Sequence, residues 1–128
     1  MKLHHVAKVS TSLENADLFY EGILGLRKIK VSKLTEDLSK QIFGVARECR
    51  MILYGNGTLA IEVFVLGFDP GKGPPFVHIC LEVEDREEFL GRCQTAGLVV
   101  NRVLKGDSLV IFIEDYDGNL FEVKESAT

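Results

Sequence analysis

The sequence predicts an α+β protein in which one pattern, a strand, a capped helix and three more strands, is used twice. Three observations carry that expectation. In FVHICLEVED (Phe76–Asp85), Ile79, Leu81 and Val83 form one apolar row and His78, Cys80 and Glu82 the opposite row, the period of two that marks a strand. A helix start follows at once, with Asp85 as cap, Glu88 three residues on, an apolar stripe of Phe89, Leu90, Cys93 and Ala96, and Gly97 as the stop. The same order of strand and capped helix opens the chain, and Phe68–Pro75 (FDPGKGPP) separates the two rounds as the only linker-like segment. Residues 1–128 therefore read as one domain, with a first module at 1–66, a linker at 67–75 and a second module at 76–128.

Leu3–Ser10 reads as the first strand. Thr11 and Glu14 then stand at capping-box spacing, Ala16, Phe19, Tyr20 and Ile23 fall at i, i+3, i+4 and i+7, and Gly25 ends the helix. Leu26–Val31 is the second strand. Lys33–Phe43 carries Leu34, Leu38 and Ile42 at helical spacing and reads as a short helix or an ordered lid. Cys49–Tyr54 is a strand, Gly55-Asn56-Gly57 a tight turn and Thr58–Leu66 the return strand. In the second module, Leu98–Val103 and Ser108–Glu114 are strands. Leu120–Lys124 is the last, entered through a Tyr116-Asp117-Gly118-Asn119 turn whose Asp-Gly pair favours positive φ. Neither half buries its sheet easily alone, so the halves are expected to pair, within one chain or by exchange between two.

A hydrophobic content of 46% and a charged content of 27% are those of an ordinary soluble globular protein. The net charge of −4 gives no reason to expect nucleic acid or an anionic membrane as a partner. Cys49, Cys80 and Cys93 show no CxxC spacing and cannot all pair, which points to reduced thiols in a reducing compartment. Met1-Lys2-Leu3 leads straight into strand pattern and no apolar run reaches membrane-spanning length, so a cytoplasmic protein is expected.

The chemistry-bearing residues sit on the strands. Leu59, Ile61, Val63 and Val65 form one row of the fourth strand and leave Glu62 on the other face, between Ala60 and Phe64. In the last strand Phe121 and Val123 point one way and Glu122 the other. A carboxylate alternating with aliphatics is costly unless it is paired, metal-bound or at an edge that reaches water. A lone histidine on a strand is more often a satisfied residue than a ligand. Glu62, His78 and Glu122 together with the His4-His5 pair are harder to dismiss, since each stands on the first or last strand of its half. Mixed imidazole and carboxylate ligands suit Zn, Ni, Co, Mn or Fe, with positions left for water or substrate.

The segments HHVAKVSTSLENADLFYEGILGL, LAIEVF, HICLEVED and EDYDGNLFEV resemble the vicinal oxygen chelate superfamily, which includes glyoxalase I, methylmalonyl-CoA epimerase, extradiol dioxygenases and fosfomycin-resistance proteins. The likeness covers nearly the whole chain and implies paired βαβββ modules whose curved mixed sheet surrounds a metal-binding cavity. It implies one divalent ion held by a first-strand histidine, Glu62, His78 and Glu122, similar to the bacterial glyoxalase I pattern. Family spacing to Phe19-Tyr20 matches His5 as the first ligand. Strand parity prefers His4, because it puts Ala7 and Val9 with the apolar row and Lys8 in the cavity. The internal repeat also prefers His4, since HHVAKV lies on HICLEV without a gap, and both histidines stay open here. With His5 as ligand, Val9 falls where glutathione-dependent members carry an arginine; with His4, Lys8 falls there. Phe64, Cys80, Glu82 and Lys8 are the candidate residues of the substrate cavity. Arg47, Arg50 and Lys72 are candidates for an anionic substrate, against a reading as solvated surface charge.

The resemblance implies a metal-dependent glyoxalase-like lyase or isomerase. Its substrate would be a small carbonyl or thioester compound, its route a metal-chelated enediolate, and its base Glu122 or Glu62. An extradiol-type dioxygenase is a second reading. A metal-free antibiotic-binding protein is a third, although such proteins have lost the ligands and here all the positions are filled. The short linker and the two half-sheets suggest a homodimer acting on a small molecule.

Overall fold

The structure, a computed structural model, describes residues 3–71 and 76–126. The chain divides into two compact units, Met1–Gly71 and Lys72–Thr128, with the division inside the linker. In the first unit the order is β1 (Val6–Ser10), α1 (Leu13–Ala16, running on as π-helical turns through Asp17–Ile23), β2 (Arg27–Leu34), α2 (Glu36–Phe43), β3 (Cys49–Gly55) and β4 (Ala60–Val65). Its sheet has the order β1-β4-β3-β2, with β1 parallel to β4 and the other pairs antiparallel. The second unit holds β5 (His78–Val83), α3 (Arg86–Thr95), β6 (Val100–Lys105), β7 (Ser108–Glu114) and β8 (Leu120–Glu125). Its sheet order, β5-β8-β7-β6 with β5 parallel to β8, repeats that of the first. The fold is α+β, built from two βαβββ modules, each a four-stranded mixed sheet.

The helices form where the apolar spacing places them. Ala16, Phe19, Tyr20 and Ile23 are all buried, and so are Phe89, Leu90 and Cys93 of α3. The cap of the first helix lies one residue later than its capping-box spacing suggests. Ser12, at φ −147° and ψ 156°, accepts from the Asn15 backbone N–H at 3.1 Å, while Thr11 Oγ1 accepts from Asn15 Nδ2. Either hydroxyl is a competent acceptor, and the residue held in the extended conformation takes the cap. Asp85 caps α3 as its spacing predicts, accepting from the Glu88 N–H at 3.0 Å. Gly25 and Gly97, at φ 70° and 79°, end the first helical segment and α3 in a conformation that costs glycine least. Lys33–Phe43 resolves into the end of β2 and the helix α2, which Thr35 caps.

The core of the first unit centres on Tyr20 stacked on Tyr54, with ring centroids 5.3 Å apart. The Tyr54 hydroxyl donates to Asp17 Oδ1 at 2.8 Å, and Lys28 Nζ donates to Asp17 Oδ2 at 2.9 Å. Burial, and then the Asp17 hydrogen bond, push the Tyr54 hydroxyl above its ordinary range. Tyr54→Phe should therefore cost about 1.5–3 kcal/mol, the worth of a hydrogen bond to a charged group. An unchanged urea midpoint would show that Lys28 alone satisfies Asp17. In the second unit Leu81, Ile111, Ile113, Phe121 and Val123 fill the sheet face buried in the core, and Tyr116 Oη donates to the Ala96 carbonyl at 2.8 Å. The three cysteines are free thiols; Cys49 and Cys93 are buried, and burial pushes Cys93 up to about 11. Among the described residues no helix is long and apolar enough to cross a membrane.

Two differences separate the modules. The first inserts α2 between β2 and β3, where the second closes with Gly106-Asp107 between the paired residues Lys105 and Ser108. In the first module the β3–β4 register runs from Gly55↔Ala60 to Arg50↔Val65, whereas the β7–β8 register spans only Glu114↔Leu120 to Phe112↔Glu122.

Candidate functional site

Register decides which side chains can meet. Ala7 lies opposite Glu62 and Val9 opposite Phe64, so these four share one face of the first sheet. Lys8 lies opposite Val63 and shares the face of the buried Ile61 and Val63. The parity expected for His4 is thus reversed, and Lys8 leaves the Glu62 face. The physical reason is that β1 is an edge strand with one neighbour, so its own alternation reports burial poorly and its parallel register to β4 settles the matter. Continuing the Glu62 row back from Ala7 reaches His5, whose Nε2 stands 3.7 Å from Glu62 Oε1. His4 meets the outer nitrogen of that ring instead, Nδ1 to Nδ1 at 2.7 Å, one imidazole donating to the other.

The second unit repeats the arrangement. Cys80 lies opposite Glu122, so His78, Cys80 and Glu82 share its face, and His78 Nε2 stands 3.7 Å from Glu122 Oε1. The His78 Nδ1–H donates to the Phe76 carbonyl at 2.6 Å. Phe76, at φ 76°, is the one non-glycine residue with positive φ among the described residues. A bulky side chain pays strain for that conformation. Phe112, paired across from Glu122, sets its ring edgewise on His78 at 5.1 Å.

This hydrogen bond fixes the chemistry of the second pair. With Nδ1–H committed to Phe76, a neutral His78 turns its Nε2 lone pair toward the Glu122 carboxylate. Two acceptors then face each other, an arrangement relieved by a donor between them, and a proton, a water or a metal ion can serve. Ligands at about 2.0–2.2 Å from one ion lie up to about 4 Å apart, so each His–Glu pair fits two positions of a divalent-metal site. Among the described residues no three His, Cys, Asp or Glu side chains converge; what each unit presents is one pair.

The other candidates fall in different places. Phe64 lies on the Glu62 face and takes the Phe43 ring edgewise at 5.3 Å, so α2 contributes an apolar cover to that face. Partial burial, then the Glu122 charge, raise the Cys80 thiol, which takes it away from the thiolate a nucleophile needs. Glu82 is exposed and lies opposite Lys124. Arg47 stacks over the Phe68 ring at 3.9 Å, Arg50 lines a groove with Thr11, Lys33 and Glu48, and Lys72 lies outside the described residues. Phe43 and Phe112 were missed from the sequence. Phe112 carried a usable signal, an aromatic in the row opposite Ile111 and Ile113; nothing local pointed Phe43 toward Phe64.

No curated protein matches the sequence significantly. Solved structures do. A glyoxalase family protein from Bacillus cereus superposes with a TM-score of 0.79 at 19% identity, covering 100% of this chain and 95% of that one. Trypanothione-dependent glyoxalase I of Leishmania major gives 0.77 at 17% identity, over 98% and 86% of the two chains. A variant of the fosfomycin resistance protein FosX from Listeria monocytogenes, solved with manganese(II), gives 0.71 at 17% identity, over 96% and 88%. At such identities these likenesses speak for the fold alone. The family model for the Glyoxalase/Bleomycin resistance protein/Dioxygenase superfamily matches residues 2–123. That span takes in both modules and both His–Glu pairs, and the chain belongs to this superfamily.

Proposed function

We propose that the chain is a metal-dependent, glyoxalase-like lyase or isomerase acting on a small carbonyl or thioester compound. The observation that carries the reading is the repetition of one His–Glu pair, at 3.7 Å, where the outer strand of each module begins beside its neighbour. His5, Glu62, His78 and Glu122 are the proposed ligands of one divalent ion (Zn, Ni, Co, Mn or Fe), with His4 holding the His5 ring from behind. When bound, the ion supplies Lewis acidity to two neighbouring substrate oxygens. The similar FosX variant solved with manganese(II) supports a metal here.

The chain's own groups would then move the proton. Glu122 or Glu62 takes the α-proton of the substrate and returns it to the adjacent carbon. The Phe76 carbonyl keeps the His78 proton on Nδ1, so His78 binds through Nε2 and takes no part in that transfer. Phe64 and Phe43 give the Glu62 face an apolar flank. With His5 as ligand, Val9 stands at the position of the glutathione-contacting arginine, so the glutathione adduct of methylglyoxal should turn over poorly. The protein is proposed to work as a cytoplasmic homodimer, in keeping with its free thiols and two half-sites.

The metal-loaded protein is expected to exchange the α-proton of a 2-oxo thioester or a hemithioacetal with solvent deuterium without consuming oxygen. Oxygen uptake with a catechol, and no exchange with any carbonyl substrate, would move the assignment to the dioxygenase branch.

A further inference from the structure

The two modules treat the residues after their strand glutamates differently. Beyond Glu62 the ladder continues, with Val63 opposite Ile52, Phe64 opposite Met51 and Val65 opposite Arg50. Beyond Glu122 the β7–β8 register stops, although β8 runs on to Glu125 and β7 begins at Ser108. Strands that part leave main-chain groups outside the ladder, and such groups need a partner. A groove occupies the gap, lined by Ser108 and Val110 from β7, by Glu122, Lys124 and Glu125 from β8, and by Lys105 and Arg86.

The charge in this groove is arranged around that gap. Lys105 and Lys124 are exposed, and neither makes an ion pair among the described residues. The nearby acid Glu125 is engaged, accepting from the Arg86 backbone N–H at 3.1 Å. Glu82 lies opposite Lys124, with no ion pair between them among the described residues. Of the two acids that line the groove, Glu125 sits against the Arg86 N–H and Glu122 belongs to the proposed metal centre. Free ammonium groups beside strand backbone outside the ladder are what a carboxylate, phosphate or sulfate group binds.

We infer that the gap between β7 and β8 beside Glu122 is a subsite for an anionic group of the substrate, a site that rests on the proposed metal centre for its partner end. Lys124 stands two residues beyond Glu122, roughly 7 Å along the strand. The substrate class is therefore a small compound with chelating oxygens at one end and a carboxylate or phosphate a few bonds away.

The test uses the zinc-supplemented full chain, inorganic sulfate and acetate as probes, and sodium chloride at matched ionic strength as control, read by backbone amide NMR. Sulfate, acetate or both should shift the amides of 108–110 and 123–125 saturably, and the preferred probe distinguishes a tetrahedral anion from a carboxylate. Lys105→Met combined with Lys124→Met should weaken that binding about tenfold or more. Shifts no larger than those of chloride, or equal affinity in the double variant, would overturn the subsite. Zinc affinity on the same samples tests the metal assignment separately: lost zinc binding with the anion still held in the gap sinks that assignment and keeps the subsite.

Discussion

Alanine at His78 or Glu122 is expected to lower zinc or nickel affinity by more than about 100-fold, beyond the 10–100-fold typical of groups that only support a ligand. The reason is electrostatic. His78 Nε2 and Glu122 Oε1 stand 3.7 Å apart with the ring turned by the Phe76 carbonyl, so the pair attracts a cation that neither group holds alone. Neither side chain belongs to the buried core, so both variants should keep the fold. The same measurement on the first module separates the two adjacent histidines. His5→Ala should behave like His78→Ala, whereas His4→Ala should lose no more than the 10–100-fold of a supporting group. Full metal occupancy in His78→Ala, Glu122→Ala and His5→Ala would remove the basis of the metal centre, and equal losses in His4→Ala and His5→Ala would remove the assignment of His5.

Phe121→Ala should cost about 3–5 kcal/mol, a large part of the about 5–15 kcal/mol that holds a typical protein folded. Phe121 is fully buried and lies opposite Ile79 on β5 and Ile113 on β7, so its loss opens a cavity in the middle of the second sheet. It also adjoins Glu122, and a relaxed β8 would misplace that carboxylate. Val103→Ala, on an exposed position of β6, should stay within about 0.5 kcal/mol. Chemical denaturation followed in the second unit would check both; a Phe121→Ala loss below about 1 kcal/mol would mean that the sheet closes around the gap.

What the sequence determined by itself is what short-range pattern can encode. Strand alternation around Glu62, His78 and Glu122, the helical stripes of Phe19-Tyr20 and Phe89-Leu90, and the glycine stops were all legible, because each depends on neighbours within a turn or a strand. So was the doubling of the module. The tertiary structure alone placed His5, and not His4, beside Glu62, since the face of the edge strand β1 follows from its pairing with β4, some fifty residues away, and not from its own alternation. It also set Phe43 against Phe64 and parted β7 from β8 beyond Glu122. Those features arise from strand register and from helix-to-sheet contact, which residues distant in the chain impose on one another.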